Sequence, residues 1–269
     1  MSVAVMMRGM APTIVMLHGF THTGASWEPV IEALGERYRA IAPDLRGHGA
    51  ASAVEPVGIE EVVEDVSALI DGPFTLVGYS MGGRIALHVA VALGAARVQR
   101  LVLIGASPGL AQDGQRGERV AADEALADEV ERMSIDAFAH RWATQTVVLA
   151  DQPARVRERV DADRLRNTPT GLARALRGLG TGALPPLWDR LGELKMPVTL
   201  IVGERDAKFR AIAEEMASGI PHSALVVVPG AGHAVHLEAP GAVAGVLGAV
   251  GPNFTPGVEN APRARRRTS

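Results

Sequence analysis

The chain has 269 residues, 47% of them hydrophobic, so it can bury the core of one large domain. Its formal net charge is -3 and it has no cysteine, which argues against nucleic acid as the main partner and excludes disulfides and thiolate metal sites. No apolar run reaches the ~20 residues that a membrane helix needs, and residues 1–10 make a poor signal peptide, so we predict a cytoplasmic protein with no membrane partner.

Apolar strand segments alternate with helical segments in the first part of the chain. The strand segments are residues 3–7, 13–17, 39–42, 74–77 and 100–105. Each of the longer ones is almost entirely apolar, so it should be covered on both faces. That pattern is typical of a parallel sheet with helices on each side.

The pattern changes at residue 107, after which no comparable strand segment occurs until residue 198. Four segments have helical spacing of their apolar residues, at 118–132, 135–149, 153–165 and 170–179. Strands are predicted again at 198–203 and 224–228, with helices at 211–216 and 240–250. We therefore predict a core made of residues 1–106 and 192–250, an inserted helical cap at 107–191, and a disordered, arginine-rich tail at 251–269.

A G-x-S-x-G pattern, Gly78-Tyr79-Ser80-Met81-Gly82, stands between a strand segment and a helical segment. Side chains at Gly78 and Gly82 would keep the strand and the helix apart, so the turn requires glycine there and exposes the Ser80 hydroxyl at its apex. The Met81 amide would lie at the start of the helix, where it can donate to an oxyanion. The pattern predicts a nucleophile elbow, and a glycine-rich turn with an incidental serine is the alternative.

A serine nucleophile needs a histidine to accept its proton and an acid to orient that histidine. Asp206 follows the strand segment 198–203, and His233 follows the segment 224–228, in the order that α/β hydrolases use. Taken singly, Asp206 is also suited to capping the next helix, and His233 to a surface loop. Together with Ser80 they predict a catalytic triad, with Glu204 as a weaker rival acid.

The predicted fold is accordingly an α/β-hydrolase fold, with a mostly parallel, doubly wound sheet and an inserted helical cap. The second donor of the oxyanion hole should come from the loop after residues 13–17, and the Phe20 amide in His18-Gly19-Phe20 is our candidate. We expect His18 itself to be structural. The other histidines show no metal-binding motif, so we predict neither a metal nor a cofactor.

Several motifs together resemble the MenH family, the 2-succinyl-6-hydroxy-2,4-cyclohexadiene-1-carboxylate synthases of menaquinone biosynthesis. They are G-Y-S-M-G-G-R at 78–84, S-P-G-L at 107–110, Q-R-x-E-R at 115–119, G-E-R-D-A-K-F-R at 203–210 and G-A-G-H at 230–233. The resemblance extends from about residue 13 to residue 240. G-x-S-x-G and G-x-G-H occur across the superfamily, whereas G-E-R-D-x-K-F and the arginine after the double glycine are more specific.

The resemblance implies a carbon–oxygen lyase that eliminates pyruvate from 2-succinyl-5-enolpyruvyl-6-hydroxy-3-cyclohexene-1-carboxylate. Ser80, activated by His233 and Asp206, would abstract a ring proton, and the amides of Phe20 and Met81 would hold the developing negative charge. This small-molecule substrate carries several carboxylates, so arginines should line its pocket, because guanidinium groups pair with carboxylates in a bidentate way.

The resemblance also assigns substrate-binding residues. They are Tyr79, Arg84, Arg119, Trp142 and Arg166. Arg84 lies one helical turn after Ser80 and can face the same cleft. Lys208 is suited equally to neutralising the substrate and to the surface. The alternative for each of these arginines is that it is a solvated surface residue, like the other arginines of the cap.

Two other functions share these motifs. A serine-triad hydrolase, acting on carboxylic esters or on carbon–carbon bonds, would have the same triad and a cap. A ligand-binding protein without activity can also have this fold. Three arginines near Ser80 would favour the polycarboxylate substrate, whereas an apolar cap would favour a simple ester.

Overall fold

The computed structural model describes residues 11–145 and 152–249. The strand predicted at 3–7 and the tail predicted at 251–269 lie outside the described residues, as does the end of the helix predicted at 135–149. Within the described ranges the elements follow the predicted alternation, with helices that differ in length from the prediction.

Six strands of residues 11–145 and 152–249 form one sheet. They are β1 (Thr13–Leu17), β2 (Arg39–Ile41), β3 (Phe74–Tyr79), β4 (Val98–Ile104), β5 (Val198–Gly203) and β6 (Ser223–Val228). Their order across the sheet is β2-β1-β3-β4-β5-β6, and every neighbouring pair is parallel. The apolar runs TIVML and VTLIVG are buried almost throughout, as strands covered on both faces must be.

Helices cover both faces of this sheet. On one face lie α1 (Glu28–Leu34), α9 (Val235–Glu238) and α10 (Pro240–Gly248); on the other lie α2 (Ile59–Ala68), α3 (Met81–Arg97) and α8 (Ala207–Gly219). Alternate residues of β1 enter the two cores, Ile14 on the first face and Val15 on the second, because successive strand side chains point to opposite faces.

The winding direction of the sheet reverses between β1 and β3. The chain first places β2 beside β1 and then returns to place β3 on the other side of β1. The loops after β1 and β3 therefore start side by side, and a cleft forms at such a switch point in open α/β sheets. Phe20 lies in the first of these loops and Ser80 in the second.

Four α-helices lie between β4 and β5 in the part of the chain that the structure describes. They are α4 (Asp113–Glu131), α5 (Ile135–Gln145), α6 (Ala154–Arg164) and α7 (Pro169–Leu179). Ala127 of α4 packs against Ala173 and Leu176 of α7, and Arg177 pairs with three acidic side chains of α4. The assignment of residues 107–191 to a separate cap domain stays a prediction.

Two local details differ from the sequence prediction. Helix α8 was predicted at 211–216 but begins at Ala207, because the Asp206 side chain accepts the Phe209 amide and caps the helix. A 3-10 helix at Trp188–Glu193 leads into β5 and was not predicted, since its six residues are too few to show a period.

Candidate active site

The turn between β3 and α3 has the strained geometry of a nucleophile elbow. Ser80 has φ 52° and ψ -113°, a region that residues other than glycine rarely adopt. A Cβ atom at Gly82 would overlap the carbonyl oxygens of Leu17, the last residue of β1, and of His18, which follows it. The two glycines of the motif therefore let α3 start directly against the sheet, and Ser80 lies at the apex.

Ser80, His233 and Asp206 form a continuous hydrogen-bonded chain. The Ser80 Oγ lies 3.1 Å from Nε2 of His233, and the Asp206 Oδ2 lies 2.6 Å from Nδ1 of the same ring. An Nδ1–H that donates to the buried carboxylate leaves Nε2 free to accept the serine proton. Asp206 also caps α8 through its other oxygen, so the capping role considered for it is compatible with orienting the histidine.

The rival acid lies away from this chain. Glu204 is exposed and accepts the Gly230 amide at 2.8 Å, which fastens the loop that precedes His233. The aromatic ring of Phe209 instead packs on the imidazole of His233, with 4.4 Å between the ring centroids. The histidine is thus held by one carboxylate and by aromatic packing.

Two backbone amides beside Ser80 have unused donors. Met81 is the first residue of α3, where amides have no partner within the helix and the helix dipole is positive. Phe20 lies in a tight turn closed by the His22 amide donating to the Gly19 carbonyl at 3.1 Å. Neither Phe20 N nor Met81 N donates a hydrogen bond within the described part of the chain. Both amides are therefore available to an anion.

A cavity of about 390 Å³ opens beside Ser80. Its wall contains every predicted site residue except Asp206, which lies behind His233, and Arg166. Aromatic side chains form much of this wall, and Trp142 packs edge-on against Phe20 with ring centroids 5.3 Å apart. The cavity therefore combines a nucleophile, unused amide donors, aromatic surface and cations.

Arg84 is a buried cation that faces this cavity. It is 7% exposed, and its Nη2 donates to the Leu179 carbonyl at 3.2 Å. Its Nε has no hydrogen-bond partner, and no carboxylate of the described residues pairs with it. Burial and, to a smaller extent, the nearby Arg119 lower the pKa of Arg84 to about 10, and Asp123 opposes the change. The guanidinium stays charged at neutral pH and has donors left for an anionic ligand.

Two further cations line the cavity nearer to solvent. The side chain of Arg119 is 46% exposed and donates through Nε to Asp123 at 2.8 Å. Lys208 lies with its Nζ 5.6 Å from the centroid of the Phe209 ring. With Arg84 they make one side of the cavity suited to a ligand with more than one negative charge.

Arg166 is placed outside the cavity, so its predicted contact with the same ligand is not supported. Its side chain is 62% exposed, lies 3.8 Å from the Asp163 carboxylate and lines a separate surface depression with Thr23 and Asp44. The chain leaves α6 at Arg164 and turns, which carries Arg166 to the outer side of the 23–25 loop. Arg164 was counted as a surface charge but is 2% exposed.

The cavity wall also contains residues that sequence reasoning missed, among them His22, Trp188 and Phe209. Phe209 lies within the G-E-R-D-A-K-F-R motif, which was a usable signal. His22 lies in the same loop as Phe20, and this was a weaker signal. Trp188 donates to the Gly109 carbonyl at 2.9 Å, a contact across 79 residues that no local pattern reveals.

His18 has the structural position expected for it. The ring is fully buried, and its Nε2 accepts the Leu45 amide at 2.9 Å. Burial lowers the pKa of His18 to about 4, so the ring is neutral at neutral pH. Among residues 11–145 and 152–249, no group of three potential metal ligands converges and no helix is long and apolar enough to cross a membrane.

The parallel sheet, the strained serine at its switch point and the linked histidine and aspartate define an α/β hydrolase. The sequence model of the alpha/beta hydrolase family matches residues 14–246 of this chain. A solved structure of MenH from S. aureus superposes with a TM-score of 0.83 at 31% identity, covering 89% of this chain and 92% of that one.

Similar proteins share a more specific name. A Salmonella heidelberg (strain SL476) protein named 2-succinyl-6-hydroxy-2,4-cyclohexadiene-1-carboxylate synthase is 35% identical over 240 residues, 87% of this chain and 91% of that protein. A Bacillus subtilis (strain 168) protein assigned provisionally to the same activity is 39% identical over 236 residues, 84% of this chain and 85% of that protein. This chain belongs to the MenH family of α/β hydrolases.

A thermophilic esterase from Thermogutta terrifontis, solved with malate bound, is a more distant structural neighbour. Its TM-score is 0.77 at 28% identity, and the match covers 89% of each chain.

Proposed function

We propose that this protein is a 2-succinyl-6-hydroxy-2,4-cyclohexadiene-1-carboxylate synthase, a carbon–oxygen lyase of menaquinone biosynthesis. One observation carries the choice of substrate class: a buried, unpaired guanidinium at Arg84 faces the cavity one helical turn from Ser80. Keeping such a charge out of water is costly unless an anion meets it. A substrate with several carboxylates supplies that anion.

The reaction follows from the names of the substrate and the product. The substrate, 2-succinyl-5-enolpyruvyl-6-hydroxy-3-cyclohexene-1-carboxylate, loses the proton at C2 and its C2–H electrons form the C2–C3 double bond. The C3–C4 double bond moves to C4–C5, the C5–O bond breaks, and pyruvate leaves as its enolate and gains a proton. No acyl-enzyme is needed, since the chemistry is proton abstraction followed by loss of a leaving group.

The hydrogen-bonded chain supplies the base in this scheme. His233 takes the Ser80 proton, and the oxygen of Ser80, now basic, takes the proton from C2 of the substrate. Asp206 holds the ring and stabilises it once protonated. The negative charge that develops next to the abstracted proton is delocalised onto the succinyl carbonyl oxygen, which the amides of Phe20 and Met81 would bind.

The cations would position the carboxylates of the substrate. Arg84 is placed to bind the innermost carboxylate, and Arg119, which already has Asp123 as a partner, to bind one nearer the opening. The cyclohexene ring would lie against Tyr79 and Trp142, both of which line the cavity. Arg84 and Arg119 with Lys208 provide three cations, in place of the three arginines expected from the sequence.

Ester hydrolysis is the second candidate. It is favoured by the likeness to the Thermogutta terrifontis esterase, and by a Ser80–His233–Asp206 chain of the kind that ester hydrolysis uses. The two reactions differ in product, so one experiment separates them.

The test is to supply the enolpyruvyl precursor and follow pyruvate release and diene absorbance together, beside turnover of an aryl acetate. The synthase assignment predicts equal amounts of pyruvate and diene, both lost in Ser80→Ala, with weak ester turnover. Rapid ester turnover without pyruvate release from the precursor would establish the hydrolase instead. Ser80→Ala removes only the hydroxyl, so circular dichroism should show an unchanged fold.

A further inference from the structure

The loop that carries Phe20 is held by two side chains from the inserted helices. Asn167, just before α7, donates through Nδ2 to the Thr21 carbonyl at 2.9 Å. Asp163, in the last turn of α6, accepts the Thr23 amide at 2.9 Å with Oδ2 and the Thr23 hydroxyl with Oδ1. The segment between Gly19 and Thr23 is thereby tied to α6 and α7, far along the chain.

Both side chains are buried but take no part in the cavity wall. Asn167 and Asp163 are each 4% exposed, and neither lines the cavity. Asn167 also accepts the Gly49 amide at 3.0 Å and donates to the Arg164 carbonyl at 3.1 Å. A side chain with its donors and its acceptor all engaged cannot shift without breaking several bonds, so it is a rigid support.

Asp163 holds the loop as an anion. Burial by itself would raise the pKa of this carboxyl group, but the neighbouring His22 and the two groups of Thr23 outweigh burial and lower it. Hydrogen bonds to a charged acceptor are stronger than those between neutral groups. The hydrogen bonds to Asp163 therefore hold the Thr23 end of the loop more strongly than hydrogen bonds to a neutral acceptor would.

The segment between Gly19 and Thr23 has a strained backbone that would relax without these hydrogen bonds. Thr21 has φ 69°, a left-handed conformation that is rare for a β-branched residue. Strained residues of this kind persist when surrounding contacts over-determine them, and they occur where function requires a fixed geometry. The Asn167 amide holds the carbonyl of this residue, directly after Phe20.

We propose that Asn167 and Asp163 are positioning residues that hold the Phe20 amide in line with the Ser80 site. The inserted helices would then complete the oxyanion hole in addition to covering the cavity. The inference rests on the proposed role of the Phe20 amide. It predicts that loosening the contact between the helices and the loop impairs the chemical step and leaves ground-state binding of carboxylates intact.

The first variant is Asn167→Asp, which keeps the shape of the side chain and an acceptor for the Gly49 amide but places an oxygen against the Thr21 carbonyl. The second is Thr23→Val, which removes the hydroxyl that Asp163 accepts, and Thr23→Ser is its rescue partner because it restores that hydroxyl. Thr168→Val is the matched stability control. Thr168 caps α7 by accepting the Gly171 amide at 3.1 Å, and although it is next to Asn167 its side chain makes no hydrogen bond to the Phe20 loop.

Five quantities are measured on each folded variant. They are kcat and KM for the precursor, kcat for an aryl acetate, inhibition by an aryl boronic acid that adds to Ser80 as a tetrahedral anion, and the Kd of phthalate as a non-reacting dicarboxylate. Losing an oxyanion donor outright lowers kcat by about 10²–10³. Asn167→Asp and Thr23→Val should lower both kcat values at least about tenfold and weaken inhibition by the boronic acid by a similar factor. KM and the phthalate Kd should stay within about twofold, since Arg84 and Arg119 are untouched.

A merely structural role gives a different result. Asn167→Asp would then lower the melting temperature as Thr168→Val does, with both kcat values and boronic acid inhibition unchanged, and the proposal would be overturned. A parallel loss of phthalate binding would overturn it too. Failure of Thr23→Ser to restore what Thr23→Val loses would show that the hydroxyl bond to Asp163 is not the cause.

The design separates this inference from the substrate assignment. If the wild type hydrolyses the aryl acetate but releases no pyruvate, the synthase assignment fails. The ester kcat and the boronic acid still report whether the loop positions an oxyanion donor, so a selective loss in Asn167→Asp supports the inference and an unchanged pair of values refutes it.

Discussion

We expect the buried charge of Arg84 to lower the stability of the folded protein while it supports catalysis. The variant Arg84→Met tests this expectation. The side chain is 7% exposed and no described carboxylate pairs with it. Burial, with Arg119 adding to it, lowers its pKa from the ordinary arginine value by about two and a half units, to about 10. One pKa unit corresponds to about 1.4 kcal/mol, so keeping this charge in the folded state costs about 3 kcal/mol.

Methionine fills a similar space without a charge. The exchange also removes one charged hydrogen bond, from Nη2 to the Leu179 carbonyl, which contributes about 1.5–3 kcal/mol. The gain should match or exceed this loss, so the free energy of unfolding in urea at pH 7 should not fall in Arg84→Met. The value of kcat/KM for the precursor should fall about 10²–10³-fold, because a buried carboxylate loses its partner.

Arg100→Met is the matched control. Arg100 is part-buried, whereas Arg84 is buried, and it donates to the carbonyls of Val246, Leu247 and Ala249 at the end of α10, away from the cavity. This variant should lose about 1–3 kcal/mol of stability and keep kcat/KM within about twofold. The reasoning is refuted if Arg84→Met loses more than about 2 kcal/mol of stability while its kcat/KM stays within about threefold of the wild type.

Three further outcomes follow from the geometry. The free energy of unfolding should fall as pH drops from about 6.5 to 4, by up to about 3 kcal/mol for His18 alone. The reason is that the pKa of His18 is about 4 in the folded protein, so over this range the unfolded chain binds a proton at His18 and the folded chain does not. A free energy of unfolding in urea that is constant over this range would contradict the prediction. Ser80→Gly should be more stable than Ser80→Ala by about 1 kcal/mol, since glycine tolerates φ 52°, and equal melting temperatures would show that the turn is unstrained. Gly82→Ala should cost about 3 kcal/mol or more, whereas Gly241→Ala, with open space around it, should be harmless; a soluble Gly82→Ala variant of wild-type melting temperature would disprove the steric argument.

The elements that sequence predicts best are those whose signal is local. The strands β1, β3 and β5 are short apolar runs bounded by loops, and their burial on both faces is visible in the run itself. The elbow is equally local, because Gly78 and Gly82 are required by contacts within a few residues and with the adjacent strand. Helix ends are less well predicted, as α8 shows, where one capping side chain adds a turn.

The cavity wall is where the sequence is least informative. Arg164 and Arg166 are two residues apart and chemically identical, yet one is buried and the other lies on the outer side of a loop. Their difference is set by how α6 ends and by what it packs against. Trp188 and His22 reach the cavity from opposite parts of the chain, and nothing in their neighbourhoods shows that they meet.

The sequence by itself determined the parallel sheet, the elbow at Ser80 and the order in which serine, acid and histidine follow their strands, because each depends on backbone sterics or on the burial of a short apolar run. Only the tertiary structure decided which cations meet in one cavity and which side chains hold the Phe20 loop. The contacts that hold the loop join residues more than 100 positions apart, such as Asn167 and Thr21. They depend on the packing of whole helices, which no local pattern of residues encodes.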